Sequence, residues 1–145
     1  MNQLPGRYRV TAANRNPPLV HFAIPVDYPV LYKYAEKNNF LEYFSYKLQI
    51  VSPVTALEAT ERLSEEVQYE LQFCWPFEPT ADCTAALELY TNYTMEEKRL
   101  IDEDQEDVIQ MVQEALELDK LVRPKWYFDM HDPWQPGDSD GESNY

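Results

Sequence analysis

Residues 67–75, Val67-Gln68-Tyr69-Glu70-Leu71-Gln72-Phe73-Cys74-Trp75, place a large apolar side chain at every odd position and Gln, Glu or Cys between them. Strict alternation is the period of an extended strand, because successive side chains leave a strand on opposite faces. A strand with one apolar face needs partners and a covering layer, so this run predicts a sheet packed on one side. Phe44, Tyr46, Leu48 and Ile50 alternate with Ser45, Lys47 and Gln49, and Ala86 to Tyr93 reads as a further strand. The turn-forming stretch from Pro76 to Thr84 makes 67–75 and 86–93 an expected antiparallel pair. Tyr8-Arg9-Val10 and Leu19 to Ile24 are shorter candidates, separated by Asn14-Arg15-Asn16-Pro17-Pro18.

Helix starts carry their own signals. Thr55 precedes Glu58 by three and Thr94 precedes Glu97 by three, the spacing at which hydroxyl and carboxylate satisfy amide donors at a helix start. Pro29 suits the first turn of a helix reaching Asn38. A long helix is predicted over 94–119. On it Ile101, Val108, Met111, Val112, Ala115 and Leu116 gather on one face, and Glu103, Glu106, Asp107, Gln110, Glu114 and Glu117 on the other. With a last strand near Leu121 to Phe128, residues 43–128 spell the βαββαβ order of a ferredoxin-like unit. The expected fold is therefore α+β: a single domain over 1–128, an antiparallel sheet against two or three helices, then an acidic flexible tail over 129–145.

Charge narrows function further. The formal net charge is −14, and it is unevenly placed: residues 1–24 hold three arginines and no acid, whereas 94–119 hold ten acids against two bases. A helix and tail this acidic would repel phosphates, so direct nucleic-acid binding is not expected. Attraction to a cationic surface is favoured by the same field, and rows of carboxylates can occupy a groove built for nucleic acid. Neighbouring like charges such as Glu103 and Asp107 each cost a helix about 0.2–0.5 kcal/mol, more than solubility alone requires. The expected partner is a basic protein surface met by Glu103, Glu106, Asp107, Glu114 and Glu117, with Trp134 of the tail as an exposed anchor.

Enzyme chemistry finds few groups to work with. The three glycines, Gly6, Gly137 and Gly141, build neither a phosphate-cradling loop nor a dinucleotide fingerprint, which require backbone to approach phosphate where only glycine fits. His21, in a strand, reads as a buried histidine hydrogen-bonded within the sheet, with no nucleophile placed beside it, and no cofactor is expected. Cys74 and Cys83 lack zinc-ligand spacing and are expected to be reduced in a cytoplasmic chain without an export signal or membrane span. Calcium is the alternative ligand, held by Asp102, Asp104 and Glu106, or by Asp138, Asp140 and Glu142, a run resembling the opening of an EF-hand loop. The leading expectation is a non-enzymatic binding or regulatory protein, for instance an inhibitor; a calcium-binding protein and a structural subunit of a larger assembly are the alternatives.

Overall fold

A computed structural model describes residues 1–40, 53–77 and 85–129. After a 3-10 turn at Gly6–Tyr8 come β1 (Val20–Val26), α1 (Tyr28–Lys37), α2 (Pro53–Val67), β2 (Gln72–Cys74) and β3 (Pro76–Phe77). Then follow β4 (Ala85–Thr91), the short α3 (Met95–Lys98), α4 (Asp102–Ala115) and β5 (Lys125–Asp129). The α+β class and the antiparallel pairing of the 67–75 region with 86–93 are as expected, with Gln72 opposite Glu88 and Cys74 opposite Ala86. The strand predicted over 44–50 lies outside the described residues.

The sheet order is β2-β4-β1-β5-β3. This differs from a ferredoxin-like arrangement, because the central strand, β1, comes from outside 43–128. β2 and β3 stand at opposite ends of that order, yet Trp75 alone separates them, so Cys74 and Pro76 are at most about 7 Å apart. The sheet therefore curls until its edges meet at Trp75, in the manner of a small barrel.

Side chains sort onto the two faces of this curl. On the outer face Val20, Ile24, Leu87, Trp126 and Phe128 form one core with Leu31 of α1, Leu63 of α2, and Ile109 and Val112 of α4. A second buried cluster contains Ala23, Cys74, Ala86 and Tyr127, one residue from each of β1, β2, β4 and β5 and none from a helix. That is the signature of the inner face, where Ala23 and Ala86 are wholly buried. At a bulge between Phe22 and Ala23, β4 carries one extra residue, Leu89. Leu89 and Tyr90 both join the outer core, Glu88 stays inside, and the Tyr69 hydroxyl donates to Leu89 O at 2.7 Å.

Helix boundaries depart most from expectation. The predicted helix 94–119 is two helices, since Arg99 turns extended (φ −66°, ψ 126°) and the chain restarts after Ile101. Partly buried Leu100 packs into the core there, and the Tyr69 hydroxyl also donates to Lys98 O at 3.1 Å. Thr94 makes no cap bond to α3; its hydroxyl accepts the Thr91 amide at 2.9 Å instead. Thr55 lies buried inside α2, which starts at Pro53, and α2 consumes Val67, so the predicted strand 67–75 shrinks to 72–74. Tyr8 lies in the 3-10 turn rather than a strand.

The three long helices among the described residues end alike. Asn39, Gln68 and Glu117 adopt positive φ (61°, 54° and 56°) just past α1, α2 and α4. The following amides reach back five residues: Phe40 N to Ala35 O, Tyr69 N to Ser64 O and Leu118 N to Gln113 O at 3.0, 3.1 and 2.8 Å. Each is a Schellman cap whose next side chain, Phe40, Tyr69 or Leu118, packs against the core. Glycine is the unstrained residue at such a position. Gln68→Gly and Glu117→Gly are each expected to raise stability by about 1 kcal/mol, read from urea midpoints.

Candidate functional site

α4 turns Val108, Ile109, Val112 and Gln113 inward and its acids outward. The buried stripe differs from the one expected: Ile101 precedes the helix and is 68 % exposed, Met111 is 39 % exposed, and Gln113 is buried instead. Gln113 holds that place through its bonds, donating Nε2 to Val122 O at 2.9 Å and to Lys120 O at 3.2 Å. It thereby pins the turn that returns the chain from α4 to β5.

That turn delivers Arg123 to Glu106. The guanidinium forms a two-pronged pair, Nη1 donating to Oε2 at 2.9 Å and Nη2 to Oε1, and this bond holds the Glu106 carboxyl below its ordinary range. Asp102 takes Arg99 Nη2 at 3.4 Å, and Glu117 lies 3.9 Å from Lys37 Nζ. Three members of the acidic set are thus paired within the molecule. Glu103, Asp104 and Asp107 are exposed and ion-paired to no described residue, and Glu114 accepts Gln110 Nε2 at 3.3 Å.

The first-turn acids Asp102, Glu103 and Asp104 complement the positive end of the helix dipole. Asp107 and Glu114 lie beyond its reach. Glu103, Asp107, Gln110 and Glu114 follow one another at steps of four, three and four, so they form a single stripe about 16 Å long.

Asp102, Asp104 and Glu106 are not gathered for a cation: two are committed to arginines, and no metal-ligating cluster of three stands among the described residues. Trp134, Asp138, Asp140 and Glu142 lie outside the described residues, as does Cys83. Cys74 is buried. Among the described residues no helix is long and apolar enough to cross a membrane.

His21 has the structural setting expected of it, with partners the sequence did not name. On the inner face its Nε2 donates to Asp129 Oδ1 at 2.6 Å, and its Nδ1 donates to Glu88 Oε1. With both nitrogens turned to acceptor-only carboxylates, the ring has no lone pair free to act as a base. Comparison with protein-family models, curated proteins and solved structures finds no match.

Proposed function

We propose that this chain is a non-enzymatic, cytoplasmic regulatory protein that presents the outer face of α4 to a basic protein surface, of the kind nucleic-acid-binding proteins carry. The observation that carries this reading is the stripe Glu103, Asp107, Gln110 and Glu114. No described base pairs with its acids, while Arg99, Arg123 and Lys37 pair with Asp102, Glu106 and Glu117 beside it. A rigid helix, anchored through Ile109 and Val112, holds these charges at fixed spacing, which favours register as well as attraction. Glu103, Asp107 and Glu114, rather than the internally paired Glu106 and Glu117, are therefore the residues to test.

Binding to an arginine-rich peptide is expected to weaken steeply with salt, by tenfold or more between about 50 and 200 mM. Replacing Glu103, Asp107 and Glu114 by their amides is expected to remove most of that dependence without lowering the melting temperature. Salt-independent binding would contradict the reading.

A further inference from the structure

We propose that His21, Glu88 and Asp129 form a proton-held lock on the curled sheet: one proton kept on the imidazole between two carboxylates fastens β4 and β5 to β1, and its release loosens β5. The three side chains come from three neighbouring strands and share the inner face. His21 and Glu88 are buried, at 6 % and 7 % exposure, and Asp129 is half-buried. A neutral ring would turn one nitrogen lone pair toward a carboxylate lone pair in a site short of water. With Glu88 and Asp129 both ionised, the imidazolium alone satisfies both contacts.

Asp129 makes this a lock rather than a local ion pair. It is the last residue of β5 and stands opposite Pro76, one of the two β3 residues paired with β5. β1 holds β5 through four paired positions, Val20 to Ala23 against Phe128 to Lys125, and the Asp129 amide donates to Leu19 O at 3.2 Å just beyond them. Losing the His21 contact therefore weakens the end of the β1–β5 seam, beside the closure at Trp75.

Among the described residues the groups facing the cluster are few. Tyr127 of β5 and Cys74 of β2 share the inner face, Thr91 of β4 stands opposite His21, and exposed Lys125 lies at the far end of β5. Tyr69 is buried enough for its hydroxyl to be pushed up to about 12, so it stays neutral in the relevant range. Burial alone would lower the His21 pKa, but the bonds to Glu88 and Asp129 outweigh it and raise the value above the ordinary 6.5. A raised pKa means stability that is complete below 6.5 and is lost as pH climbs through the folded value. The lock thus opens toward alkaline pH.

The test is a nitrogen-15 NMR titration of the histidines in the full chain, with His131→Gln to assign His21, alongside thermal melts of the unaltered chain and of His21→Gln. The ring is expected to be doubly protonated at neutral pH, with the amide signals of Trp126, Tyr127 and Phe128 changing at its pKa. Between 6.5 and the folded pKa the unfolding constant should rise about tenfold per pH unit, a slope missing from His21→Gln. The Met1 amine, bonded to Trp126 O at 2.9 Å, titrates nearby but is common to both chains, so the difference isolates His21. A singly protonated ring at neutral pH, amides of β5 that ignore its titration, or equal slopes would overturn the proposal. Should His21→Gln fail to fold, the titration of the unaltered chain decides.

Discussion

Replacing His21 by alanine is expected to destabilise the fold by about 3–5 kcal/mol, the range found when one member of a buried ion pair is removed. The cause is less the lost imidazole than what remains. Glu88 and Asp129 would face each other across the inner surface, with the charge of Glu88 left buried and without its cation. A chain of this size has about 5–15 kcal/mol of stability in all, so the variant would sit near unfolding. Adding Glu88→Gln to it should recover part of the loss, because the buried charge goes with its partner. Urea unfolding followed by the fluorescence of core residue Trp126 measures both. A loss under about 1 kcal/mol for His21→Ala would mean that the pair is hydrated or dispensable.

Asn92→Ala is expected to cost about 3 kcal/mol, because one side chain satisfies three backbone groups. Its Oδ1 accepts the Val20 amide at 3.1 Å, and its Nδ2 donates to Tyr8 O and Pro18 O, both at 2.8 Å. These bonds tie the N-terminal segment to the start of β1 just past the end of β4, at a site only 2 % exposed. Asn92→Asp keeps the acceptor and loses both donors, so it should also be damaging, by turning an oxygen toward two carbonyls. Equal unfolding midpoints for Asn92→Ala and the unaltered chain would show that the segment is held by other contacts.

Short-range features of this fold are legible in the order of the amino acids. β1 and β4 announce themselves as apolar runs, and Pro29 marks α1, because burial and φ restriction act within a few residues. Helix ends are harder to read for want of glycine: Asn39, Gln68 and Glu117 carry the positive φ angles that glycine would have flagged. The alternation of Val67, Tyr69 and Leu71 is real, but it arises from a helix end, a capping contact and the entry to β2 rather than from one strand. The partners of His21 are beyond any local pattern, because Glu88 and Asp129 lie 67 and 108 positions away. The curl is equally hidden, since it depends on β2 and β3 pairing with strands at opposite edges. The acidic face of α4 is visible as composition; which acids are already paired depends on the fold bringing Arg123 back to Glu106.

Matched charge variants test most directly whether the acidic stripe of α4 meets a basic partner. Capture from cell extract would compare the unaltered chain, a stripe variant (Glu103→Gln, Asp107→Asn, Glu114→Gln) and a control of equal charge (Glu61→Gln, Glu65→Gln, Glu97→Gln). At about 50 mM salt, basic nucleic-acid-binding proteins should be retained by the unaltered chain and the control, lost from the stripe variant, and released from all at about 300 mM. Equal retention by the stripe variant and the control would contradict a role for the stripe, since only net charge would then matter.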